Sequence, residues 1–96
     1  MLVTFNKNLA VDLGIESAII FSEIQNKVMK SQYKDIVMLD GFALVKMRLS
    51  ELKAEVPFFT QWKFDKGYLG LDAQGLIKAV TIDDVCYIGI KERGLM

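Results

Sequence analysis

Leu49-Ser50-Glu51-Leu52-Lys53-Ala54-Glu55-Val56-Pro57-Phe58-Phe59-Thr60-Gln61-Trp62-Lys63-Phe64-Asp65-Lys66-Gly67-Tyr68-Leu69-Gly70-Leu71-Asp72-Ala73-Gln74-Gly75-Leu76-Ile77 reads as two helices joined by a tight turn. Leu49, Leu52 and Val56 recur at helical spacing and give the first helix, Leu49 to Val56, one apolar face. Pro57 stops it, because the residue before a proline is driven out of the helical region. Thr60 is a good N-cap for a second helix from Gln61 to Ala73. Phe64, Tyr68 and Leu71, with Gly67 beside them, form its inward face, and Gly75 in the left-handed region ends it.

Downstream, Leu76 to Ile82 and Val85 to Lys91 flank Asp83-Asp84 as an antiparallel hairpin. The paired aspartates read as a solvated turn tip rather than a catalytic or metal-binding pair. Upstream, Asp40-Gly41 between Ile36–Leu39 and Phe42–Val45 is a strong hairpin signal, because both turn positions want positive φ. Phe42–Val45 is the surer strand; the first run reads either as its partner or as an irregular lead-in after the polar break Ser31 to Lys34. Before that break, Ala18, Ile20, Phe21, Ile24 and Val28 mark one stripe of a helix from Ile15 to Met29. Glu23 and Lys27 stand four apart on its surface, in the favourable order. Asn6 or Asn8 can cap a further short helix over Leu9 to Leu13, closed by Gly14.

Composition narrows the chemistry. Ninety-six residues, 52% of them apolar, suffice for one domain with one core, residues 1–96. Phe21, Ile24, Leu52, Phe64, Leu71 and Ile77 are expected in that core. The chain has no histidine and a single cysteine, Cys86, which excludes histidine-dependent triads and the common zinc sites. No catalysis, cofactor or bound metal is expected. Cys86 lies in the apolar stretch Val85 to Ile90 and reads as a buried thiol acting as a small hydrophobe. Met1 to Ala10 lacks the pattern of a secretory signal and no apolar run is long enough to span a membrane, so the expected compartment is the reducing cytoplasm. Twelve basic residues balance twelve acidic ones, so attraction to a polyanion has to come from local charge placement.

These readings predict an α+β fold with three or four helices and a small, three-stranded antiparallel sheet. Their order, with two helices meeting at Pro57-Phe58-Phe59-Thr60 and a C-terminal hairpin following, is the plan of a winged helix-turn-helix domain with the hairpin as wing. The segment Leu49 to Thr60, the exit Gly75-Leu76-Ile77, the opening Leu13-Gly14-Ile15-Glu16-Ser17-Ala18-Ile19-Ile20-Phe21 and the turn Asp40-Gly41 resemble the N-terminal winged-helix domains of bacteriophage and prophage replisome organisers. The resemblance covers about residues 8 to 90. It implies a DNA-binding protein of a bacterial host cell, a transcriptional regulator or replication accessory, with Gln61 to Ala73 as recognition helix. Larger members carry a further C-terminal domain for replication partners, to which the resemblance does not extend here.

The chain departs from that family at three places. Gln25-Asn26-Lys27 stands where many relatives carry aromatic residues. Gly67 and Gly70 interrupt the recognition helix, each costing about 1 kcal/mol against alanine. Charge there is thin, with Lys63 and Lys66 against Asp65, and the wing opposes Lys78, Lys91 and Arg93 to Asp83, Asp84 and Glu92.

Candidate contacts to double-stranded DNA are Thr60, Gln61, Trp62, Lys63 and Lys66 on the recognition helix, with Lys46, Arg48, Lys53 and Lys78 around it. Gln61 could read adenine with both amide atoms, while Lys63 and Lys66 reach phosphates or guanine. Lys46, Arg48 and Lys53 could hold the duplex backbone, and solvated side chains are the equal alternative. Trp62 either folds back on Phe58, Phe59 or the hairpin as core, the favoured reading, or stays exposed. With Leu69 two turns on, an exposed Trp62 suits a protein partner or a homodimer. Two functions from different classes follow: a DNA reader, and a winged helix turned into a protein-interaction module.

Overall fold

A computed structural model describes residues 14–91. The expected short helix Leu9–Leu13, its caps Asn6 and Asn8, and Glu92 and Arg93, expected in a wing, lie outside the described residues. The elements in chain order are α1 (Ile15–Lys30), a 3-10 turn (Tyr33–Asp35), β1 (Val37–Leu39), β2 (Phe42–Lys46), α2 (Leu49–Ala54), α3 (Gln61–Ala73), β3 (Ile77–Ile82) and β4 (Val85–Lys91). The chain is thus α+β, with three α-helices and a four-stranded antiparallel sheet among the described residues.

The sheet runs β1-β2-β4-β3. It has one strand more than expected, because Asp40 and Gly41 take φ of 52° and 81° and close a two-residue turn. That turn brings Val37 opposite Leu44 and makes the first run a short edge strand. The central pairing sets Ala43 against Ile90 and Val45 against Ile88, and β3 joins β4 from Ile77↔Ile90 out to Ile82↔Val85.

α1 buries a broad stripe, Ser17 to Ile20 with Ser22, Ile24 and Val28, because it packs on α3 and also on β2 and β4. Phe21 lies at the margin of that stripe, partly buried against the core. Glu16 in the first turn and Lys27 and Lys30 in the last complement the helix dipole. The Ser31 hydroxyl donates to the Lys27 carbonyl at 2.8 Å, satisfying one terminal acceptor.

Where α1 meets α3, the Ser17 hydroxyl donates to the Gly67 carbonyl at 2.9 Å in the interior. A Cβ at residue 67 would lie 2.9 Å from the Glu16 carbonyl carbon and from Ile20 Cδ1, and one at residue 70 would lie 3.1 Å from Ser17 Oγ. The glycines that weaken α3 as an isolated helix are what lets two backbones approach.

α2 is shorter than expected, and Leu49 is 40% exposed while Leu52 and Val56 are buried. Position 49 starts the helix, before the turn that meets the core, so only the later two apolar residues reach it. The Thr60 hydroxyl accepts from the Lys63 N–H at 3.2 Å and starts α3. At its other end Leu76 N–H reaches the Leu71 carbonyl and Gly75 N–H the Asp72 carbonyl, with Gly75 at φ 66°. These are the paired bonds of a Schellman motif, and they aim the chain into β3.

Ile24, Leu52, Phe64, Leu71 and Ile77 share one core with Ile20, Val45, Met47, Ile88 and Ile90. Cys86 is not part of it. The thiol is exposed, since Cys86 pairs with exposed Thr81 on the half of the β3–β4 hairpin that overhangs the core.

Candidate nucleic-acid interface

α3 divides cleanly. Phe64, Gly67 and Leu71 are buried, and Tyr68 is half-buried with its ring stacked on Phe64 at 5.9 Å. Burial, with Asp72 adding to it, raises the Tyr68 pKa, so the phenol stays neutral. Gln61, Trp62, Lys63, Asp65, Lys66 and Leu69 are exposed on the opposite side.

Trp62 is 69% exposed and Leu69 61%, so the reading of Trp62 as core is overturned. Phe59 packs on the core instead, and Phe58 meets it edge-on at 4.9 Å, which leaves Trp62 outside that cluster. The indole serves as a platform: the Lys66 ammonium lies 5.4 Å from its ring centroid, one turn along the helix.

Gln61 is already engaged at both amide atoms. Its oxygen accepts from the Lys53 ammonium at 3.1 Å, and its nitrogen donates to an Asp65 carboxylate oxygen at 2.7 Å. These two bonds hold the amide toward Lys53 and Asp65, so reading an adenine edge would compete with them. Lys53 also stands 5.4 Å from the Phe64 centroid, so this chain of contacts ties α2 to α3.

The other expected contacts lie on other elements. Arg48, exposed, precedes α2, and its backbone N–H donates to the Glu51 carboxylate at 3.3 Å. Lys78 pairs with Asp40 at 3.7 Å and lies 5.6 Å from the Phe42 centroid. That places it by the β1–β2 turn, at the end of the sheet away from Asp83-Asp84. Lys46 ends β2 opposite Tyr87. The Thr60 hydroxyl is spent on the helix cap. Of the nine expected positions, Trp62, Lys63 and Lys66 form one exposed, unobstructed set. The hairpin tip carries Asp83 and Asp84, both exposed and both at positive φ.

Two charged grooves escaped the sequence reading. One holds Glu23, Glu51 and Glu55 with Lys27 and Lys30. Burial and the neighbouring Glu55 raise the Glu23 pKa, with Lys30 and Lys27 opposing. The other collects Lys27, Lys30 and Lys34 with Lys46. The three- and four-residue spacing of Lys27, Lys30 and Lys34 was a visible signal; the approach of Lys46 was not.

Among the described residues no group of three or more histidine, cysteine or carboxylate side chains is placed to hold a metal ion. Nor is any helix among them long and apolar enough to cross a membrane. Compared with known proteins, the chain matches no family model, no curated protein and no solved structure.

Proposed function

We propose that this chain is a winged helix-turn-helix domain that binds double-stranded DNA with the outer face of α3, as a regulator or replication accessory of phage or prophage origin. The observation that carries the reading is the division of α3. One side is locked into the core, while Trp62, Lys63 and Lys66 project unobstructed from its first two turns. The order of elements supports it. A helix leads to the β1–β2 hairpin, then to two helices across a turn, then to a second hairpin whose last strand, β4, pairs with β2. That layout leaves a helix of the right diameter free to enter a major groove. The reading is of a binding protein rather than an enzyme, in keeping with a sequence that has no histidine and one cysteine.

A second reading has its own observation. Trp62 and Leu69 are large, apolar and exposed on the same face, as anchors for a protein partner would be. Alanine variants separate the two. On DNA, Lys63→Ala and Lys66→Ala each weaken binding to unrelated duplexes alike and reduce the salt slope by about one unit. Trp62→Ala and Leu69→Ala cost less. On a protein partner the order reverses, with the two apolar variants each costing about 2 kcal/mol or more. Because Trp62 stands outside the core, its loss leaves the melting temperature nearly unchanged.

A further inference from the structure

We propose that the lysine groove between the end of α1, the 3-10 turn and the exit of β2 binds the phosphate backbone of DNA, as a contact additional to α3. The proposal rests on the DNA reading above. The groove, about 640 Å³ and open to solvent, is lined by Lys27, Lys30, Lys34 and Lys46 beside Tyr87, with Asp35 the one acid among its lining residues. Four lysines against one aspartate leave three net positive charges there. Since basic and acidic residues balance over the whole chain, the remainder carries three net negative charges. The groove itself is therefore locally basic within a neutral protein, with Lys27 and Lys30 shared with the adjoining groove of Glu23, Glu51 and Glu55.

Among the described residues none of these four lysines has an ion-pair partner within 4 Å, whereas Lys78 is paired with Asp40. The four lysines come from three elements, α1, the 3-10 turn and β2, and line one open groove. That distribution suits an extended polyanion better than a compact ligand, which would stay largely hydrated there. It also supplies what α3 lacks: Lys63 and Lys66 stand against Asp65 on the outer helix face. Lys27 and Lys30 also offset the α1 carbonyl terminus and border the groove of Glu23, Glu51 and Glu55. Lys34 and Lys46 line only the basic groove, so they carry the test.

Anisotropy titrations of a fluorescent mixed-sequence duplex would compare the intact chain, Lys34→Gln/Lys46→Gln and Lys63→Gln/Lys66→Gln. All three are run at about 50 and 200 mM salt. Both lysines of each pair are exposed, and thermal melts verify folding. Loss of two phosphate contacts makes the groove variant's slope shallower by about 1.8. Its affinity then falls roughly 12-fold less across that salt range than the intact chain's, alike for unrelated duplexes. A groove variant that matches the intact chain while the α3 variant weakens overturns the groove and leaves the DNA reading standing. Weakening of the groove variant alone supports the groove and removes α3 from the DNA reading. An intact chain that binds no duplex at about 50 mM salt removes the DNA reading and this proposal with it. If the groove variant instead weakens binding of a polyglutamate peptide and leaves DNA affinity unchanged, the partner is an acidic protein and the proposal is overturned.

Discussion

On the proposed DNA reading, Asp65 would compete with the duplex for the residues around it. Its carboxylate holds the Gln61 amide, and its charge opposes Lys63 and Lys66 on the same exposed face. Asp65→Asn is therefore expected to tighten duplex binding at low salt, with the gain shrinking as salt screens the surface. Unchanged or weaker binding in the same titration would contradict this. Glu23 gives a prediction about pH. Its charged form is disfavoured in the folded chain by burial and by Glu55, which raises its pKa. That cost is present above the raised folded value and disappears once pH falls below the unfolded one. Glu23→Gln should accordingly raise Tm at pH 7, and the advantage should fade as pH falls through the carboxylate range. Equal melts at pH 7 would count against it.

At the scale of elements, the α1–α3 contact and the β3–β4 turn make opposite predictions for glycine. Gly67→Ala improves helix propensity by up to about 1 kcal/mol. The added Cβ would meet the Glu16 backbone at 2.9 Å, and overpacking of that kind costs roughly 1–3 kcal/mol. A net loss of stability in urea unfolding is expected, and a gain would contradict the close approach. Asp83 and Asp84 hold φ of 50° and 63°, a region unfavourable for side-chain-bearing residues. Asp84→Gly should relieve this and stabilise the hairpin, read as a higher urea midpoint. The local rules that placed α3 were legible for the same reason. Thr60 caps, Gly75 terminates and Asp40-Gly41 turns through bonds made within a few residues. What those rules could not supply was the neighbour across space. Leu49 looked like an inward residue because it shares a face with Leu52 and Val56, but only those two later residues reach the core, and Cys86 looked buried because hydropathy does not say where a hairpin outruns its core. Gly67 looked like a defect because its reason is Glu16, fifty-one residues away.

For the whole molecule, the alternation of apolar residues was enough to specify the α+β layout and most of the core, from Ile24 to Ile77. It was not enough to specify the function. Charge that is balanced in the sequence is locally uneven in space, with lysines from α1, the 3-10 turn and β2 meeting in one groove beside the groove of Glu23, Glu51 and Glu55, while Asp83 and Asp84 occupy the hairpin tip. Trp62 shows the same gap at a single position, since the sequence left open whether it folds back on the core or stays on the outer face of α3. The central claim is that the exposed side of α3 belongs to a DNA-binding domain, and salt-dependent duplex binding tests it most directly. Titration of a mixed-sequence duplex from about 50 to 200 mM salt should show measurable binding at the low end. A negative log-log slope of about two or more is expected, from Lys63 and Lys66 alone upward. Absence of duplex binding at about 50 mM salt, or binding with no salt dependence, would contradict the account.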